Sequence, residues 1–70
     1  MNWIKVVFSE QRTVFVDDQP LGDTNEVLML GESGTYTFHL GEPRNYQPAA
    51  ITRQVSATTR RNPLIIEFTP

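Results

Sequence analysis

Cysteine is absent from this 70-residue chain, histidine and tryptophan occur once each, and there are four glycines. Without cysteine there is neither a disulfide framework nor a thiolate metal site, so an apolar core must hold the fold, helped at most by oligomerisation. With His39 as the only histidine, a zinc-type centre lacks soft ligands, and no serine has an evident base partner for nucleophilic catalysis. The expectation is therefore a protein that is not an enzyme and has no catalytic, cofactor-binding or metal-ligating residues. Long apolar runs are missing as well. Met1 to Phe8 meets Glu10 and Arg12 almost at once, too short a run for the core of a signal peptide and far short of a membrane span. The chain reads as soluble, without an export signal of its own, and cytoplasmic.

What is present is a weakly acidic single domain over residues 1–70, with net charge -2 and a pI near 5.1. A chain this short buries only about 60% of its unfolded surface, so its stability margin is small. The acidic balance argues against general nucleic-acid binding, which goes with a basic surplus. Charge is nevertheless unevenly placed. Acids dominate from Glu10 to Glu42, where Arg12 is the single base, whereas Arg44, Arg53, Arg60 and Arg61 lie in an acid-free stretch from Pro43 to Ile66. The plainer expectation is that acidic and basic strands pair at the surface and contribute little. The sharper one is an arginine patch for an anionic partner.

Alternation and turn residues give the fold class. Ile4, Val6 and Phe8 share one face of a first extended segment, and Trp3, Lys5 and Val7 the other. Val14 and Val16 oppose Thr13, Phe15 and Asp17 in a second. From Asp17 to Asn25 the chain reads as consecutive turns, with Asp17 and Asp18 bonding local backbone, Pro20 presetting its φ and Gly22 free to enter positive φ. Glu26 to Leu30 is apolar on both faces, which suggests a central strand. Tyr36, Phe38 and Leu40 alternate with Thr35, Thr37 and His39, so Glu26 to Leu40 reads as a hairpin. Leu64 to Phe68, introduced by Pro63, is the last strand. Pro48 to Val55 could start a short helix at its proline, but its β-branched residues and strand neighbours favour a strand.

The chain is thus expected to be all-β, a small antiparallel β-sandwich or open barrel of about six to seven short strands. The expected core is Ile4, Val6, Val14, Val16, Leu28, Leu30, Tyr36, Phe38, Leu40, Leu64, Ile66 and Phe68. Such a domain leaves at least one exposed strand edge, through which a protein partner or a second copy could pair.

The order of features resembles the PEGA domain family. The residues that carry the resemblance are Val14 to Asp17, Leu21-Gly22, Thr24-Asn25, Leu28 to Leu30, Gly34, Tyr36 to Phe38, Tyr46 to Pro48 and Leu64 to Phe68, spanning roughly Arg12 to Phe68. The chain departs from the family at Asp18, Asn25 and Asn45, where members usually carry Gly, Pro and Gly. Asp and Asn are the non-glycine residues that best tolerate left-handed backbone, so two of these three changes keep the turns physically reasonable. The literal four-letter string of the family name is absent. The resemblance implies a small β-sandwich that acts as a non-catalytic accessory or interaction module, often in bacterial envelope or multidomain proteins.

Three groups of residues are candidates for a role. Asp17, Asp18, Asp23 and Glu26 offer hard oxygen ligands of the kind calcium takes, although their spacing does not match the twelve-residue calcium loop, and bonding to turn backbone is the plainer role. His39 is expected to face solvent. Trp3, Tyr46, Arg53, Arg60 and Arg61 are the candidate partner-binding residues, since Trp3 beside Lys5, or Arg60-Arg61 beside Asn62, offers an aromatic platform and a cationic grip for a single-stranded nucleic acid or an anionic glycan. Each also has a structural role open to it, Trp3 as a partial cap on the core and Arg60-Arg61 as a solvated turn. The leading expectation is a non-catalytic module that recognises a protein or polymer; the alternative is a small barrel-like nucleic-acid-binding domain.

Overall fold

A computed structural model describes residues 1–70 as seven strands and no helix. They are β1 (Asn2–Val7), β2 (Thr13–Val16), β3 (Gln19–Asp23), β4 (Val27–Leu30), β5 (Gly34–His39), β6 (Ile51–Val55) and β7 (Leu64–Glu67). A three-stranded sheet in the order β4-β1-β7 packs on a four-stranded sheet in the order β3-β2-β5-β6. The architecture is the small β-sandwich expected from the alternation. The sheets are not purely antiparallel, because β7 runs parallel to β1 while β4 runs antiparallel to it.

The core lies between the sheets. Its buried apolar residues are Ile4, Val6, Phe8, Val14, Val16, Leu30, Phe38, Leu40, Tyr46, Val55, Ile66 and Phe68. Nine of these belong to the expected core; Phe8, Tyr46 and Val55 join it. Leu28, Tyr36 and Leu64 are only half-buried and pack on its margin with Ile51. Each fully buried aliphatic or aromatic side chain stabilises by about 1.5–3 kcal/mol, the main favourable term in a chain without cross-links.

Local chemistry explains several elements. Val16 pairs with Gln19 across Asp17 and Asp18, both at positive φ (49° and 66°), the left-handed pair that a two-residue hairpin turn requires. The Asp17 carboxylate then accepts a hydrogen bond from the Thr37 N–H at 3.0 Å, and the Asp17 N–H donates to the Thr37 carbonyl at 2.9 Å. Beyond this turn the structure corrects the expected run of turns, since Gln19–Asp23 is an edge strand with Leu21 as its extra, unpaired residue at a bulge. Pro20 is tolerated there because an edge strand has one row of unpaired N–H groups. Gly22 is not in the left-handed region; its role is close approach, since a Cβ would stand 2.6 Å from Leu28 Cδ2.

Two further expectations are corrected. β4 and β5 do not form a hairpin but enter different sheets, with Leu30 and Phe38 reaching the core from opposite sides. Alternation fixes which residues face inward, and both arrangements satisfy it. β4 is also an edge strand rather than a central one, with Val27 and Met29 exposed. Over Pro48 to Val55 no helix forms; β6 takes Ile51–Val55.

Side chains complete the backbone bonding where strands are short. Buried Thr24 accepts from the Arg12 N–H (2.9 Å) and donates to the Glu10 carbonyl (2.7 Å), and its own N–H donates to the Arg12 carbonyl (2.9 Å). Asn25, at φ 64°, accepts from the Phe8 N–H (3.2 Å), donates to the Phe8 carbonyl (2.9 Å), and sends its backbone N–H to the Val6 carbonyl (2.7 Å). At the opposite end of β1, buried Asn2 accepts from the Thr58 N–H and hydroxyl and donates to the Ser33 hydroxyl. No buried side-chain polar atom is left without a partner.

Two substitutions test this account. Thr24→Val keeps the shape but leaves the Arg12 N–H and Glu10 carbonyl without that partner, and thermal unfolding should show a loss of about 1–3 kcal/mol. Gly41 sits at φ +70° with a would-be Cβ 2.7 Å from Phe15 Cε2. Gly41→Ala should therefore cost about 1–2 kcal/mol or more, several degrees in Tm for a domain of this size; an unchanged Tm would contradict the crowding at Phe15.

Candidate functional site

The sequence-derived candidates separate in space. Tyr46 is not a surface aromatic: it is buried, with Phe8 and Phe68 edge-on to it at 6.2 and 5.5 Å. Its hydroxyl accepts from the Leu40 N–H and donates to the Gly41 carbonyl, both at 3.1 Å. The Arg12 guanidinium lies 5.4 Å from its ring centroid and donates to the Pro43 carbonyl (2.8 Å), the Leu40 carbonyl (3.3 Å) and the Asn45 side chain (2.8 Å). Tyr46 and Arg12 together fix the loop from Leu40 to Asn45. Neither ring face of Tyr46 is thereby offered to a base.

Arg53 lies on β6 at the far edge of the four-stranded sheet, opposite Tyr36. Trp3 and Arg60 do meet, with the guanidinium 5.8 Å from the indole centroid, and Arg61 follows on the same loop. Lys5, Arg53, Arg60 and Arg61 form no salt bridge; the only pairs are Arg44 with Glu42, two residues away, and His39 with Asp18. The acidic and basic halves therefore do not pair across strands as expected.

The acidic turn does not assemble a site. Asp17 is bonded to the Thr37 backbone, Asp18 to His39 Nε2 at 2.9 Å, and Asp23 to the Gln11 side chain at 3.0 Å. No group of three or more carboxylate or imidazole side chains converges. His39 is on the outward face and largely covered, with its side chain 13% exposed. Its ring stacks on Phe15 at 5.0 Å and 4° between planes, and Nδ1 accepts from the Gly41 N–H at 3.1 Å. That acceptor role assigns the remaining ring proton to Nε2, aimed at Asp18.

The surface residues that sequence reasoning missed lie on the outer face of the three-stranded sheet. Alternation along β1 buries Asn2, Ile4 and Val6 and turns Trp3, Lys5 and Val7 outward. Strand register then builds rows across the sheet: Met29 beside Trp3, Val27 and Ile65 flanking Lys5, and Glu67 beside Val7. Met29 and Ile65 are each 51% exposed and Val27 40%. The opposite outer face, on the four-stranded sheet, is mostly polar, with Thr35, Thr37, His39, Thr52 and Gln54 alternating with inward residues and Phe15 beside His39. The sandwich thus has one wet and one greasy outer face. The available signal was the strand apolar on both faces; Val27 to Leu30 reads as central, but an edge position exposes its second face.

No pocket opens on the surface. Comparison with family models, with curated proteins and with solved structures finds no match to this chain.

The contact of Arg60 with Trp3 is open to direct measurement, because Trp3 is the only tryptophan. Arg60→Ala should leave Tm nearly unchanged and raise the acrylamide quenching constant of Trp3 fluorescence. Equal quenching in the two proteins would mean that Arg60 does not cover the ring.

Proposed function

We propose that this chain is a non-catalytic interaction module that binds a protein through the outer face of its three-stranded sheet. The observation that carries the reading is the row structure of that face, in which Trp3, Val27, Met29 and Ile65 form one apolar surface around Lys5. A sheet face in contact only with water is normally polar, as the other face of this sandwich mostly is, and a contiguous exposed apolar patch marks an interaction surface. The layout resembling PEGA domains agrees with a role as an accessory module.

The strand edges are less suited to pairing than the face. Pro20 and the bulge at Leu21 interrupt β3, β6 carries exposed Arg53, and β4 and β7 have four residues each. The nucleic-acid alternative loses Tyr46 as an aromatic platform, since that ring is in the core.

Affinity capture from an extract of the native cell, run in parallel on three baits, tests the reading. Ile65→Lys should lose the captured protein while keeping Tm within a few degrees, because the side chain points outward. Gln54→Lys, an equal charge change on the polar face, should capture as wild type does. Equal capture by both variants would remove the apolar face from the function.

A further inference from the structure

We infer that the partner of this face is a single amphipathic helix of another protein, apolar along the stripe that meets the sheet and carrying carboxylates aimed at Lys5 and Arg60. The inference rests on the reading of the apolar face as the binding surface and names its occupant.

The sheet has the character of one covered on both sides. Parallel pairing is characteristic of sheets with both faces covered, whose strands read as continuous apolar runs. β7 pairs parallel with β1 and reads Leu64-Ile65-Ile66, and β4 reads Val27-Leu28-Met29-Leu30. The core covers one face of this sheet, while the other, with Met29 and Ile65 half exposed, has no second layer within residues 1–70.

Dimensions select the element that fits. Three strands about 4.8 Å apart and some six residues long at about 3.3 Å per residue give a face roughly 14 Å wide and 20 Å long. One α-helix is about 10–12 Å across and spans ~20 Å with roughly thirteen residues, so the face holds a single helix. The ~800 Å² per partner of a standard globular interface is well beyond it. A helix also arrives with its own backbone bonds made, whereas an extended segment laid flat on a sheet face leaves its N–H and C=O groups unpaired.

Charge selects the chemistry of that helix. Lys5 stands in the middle row between Val27 and Ile65, is half-buried, and has no salt bridge within the chain. A wholly apolar occupant would strip water from its ammonium and supply no counter-charge, which opposes the gain from apolar contact. A second copy of the chain fares no better, since a two-fold overlay centred on this row sets Lys5 on Lys5. The occupant must bring a carboxylate. In the next row toward the start of β1, Trp3 lies beside Met29, and the Arg60 guanidinium over the indole forms no salt bridge. Rows on one face of β1 repeat about every 6.6 Å and helix residues four apart about every 6 Å, so acids at i and i+4 reach Lys5 and Arg60 together. Glu67, beside Val7 at the other end of the face, excludes a third acid from the turn above it.

A display library of helix-forming peptides about fifteen residues long, with acidic, basic and neutral residues varied around a leucine stripe, tests the inference. A companion library of equal composition carries period-two alternation, and the baits are the full chain, Lys5→Glu and Ile65→Lys. The full chain should enrich helical-period peptides with carboxylates four residues apart, and Ile65→Lys should enrich none of them. Lys5→Glu, with Tm measured alongside, should bind the enriched peptides about tenfold or more weakly and select lysine in place of one acid. When the tightest peptide is titrated into the full chain, moving amide peaks should lie on Trp3, Lys5, Val27, Met29 and Ile65. No enrichment, enrichment of basic, neutral or period-two peptides, an unchanged preference in folded Lys5→Glu, or peaks that move on β3 or β6 instead would overturn the acidic helix. Those results would leave the differential capture by Ile65→Lys and Gln54→Lys intact, so failure of the helix is separable from failure of the binding face.

Discussion

The structure depends on the satisfaction of backbone hydrogen bonds where the chain crosses from one sheet to the other. Strands of four to six residues leave many N–H and C=O groups near their ends, and each one buried without a partner costs free energy comparable to a lost hydrogen bond. At the crossing from β3 to β4, Thr24 and Asn25 meet this need with their side chains. Thr24 bonds Glu10 and Arg12, and Asn25 mimics one more pair of the β-ladder against Phe8. The three-stranded sheet is thereby held to the four-stranded one before any side chain in the core is counted. Asn2 and Thr58 do the corresponding work at the other end of β1.

A second constraint is the long loop between β5 and β6. Its eleven residues, 40–50, carry no strand, yet Tyr46 fills the end of the core and Arg12 binds the loop carbonyls from below. The cation has no carboxylate partner there; carbonyl dipoles and the faces of Phe8 and Tyr46 surround it instead. His39 is absorbed into the same region, stacked on Phe15 and bonded at both nitrogens. The polar residues that invite a functional reading in the sequence, Tyr46, His39 and the acids of the first hairpin, are occupied in holding loops.

What remains unoccupied is apolar. The outer face around Lys5 has no partner within the chain, and its cations and its one anion are separated along the strand direction. Period-two alternation made the class of fold legible, and the inward residues of β1, β2, β5 and β7 could be read directly. The candidate site was legible only in part. Trp3 and Arg60 were among the candidates and do meet, but Val27, Met29 and Ile65 were not, because an apolar residue in a strand looks the same whether it faces a core or water. Tyr46 had no alternation around it to mark it as buried, since it stands in a loop.

By itself the sequence determined the all-β class, a turn starting at Asp17 and most of the core, and it favoured a strand over a short helix in Pro48 to Val55, because turn preference and alternation act over a few residues. Tertiary structure alone decided which strands became neighbours. It placed β4 and β5 in different sheets, set β7 parallel to β1, drew Tyr46 inward and left one sheet face bare. Those outcomes depend on how two sheets share one core and on which edge each strand occupies, and the alternating pattern of a single strand is the same for every choice.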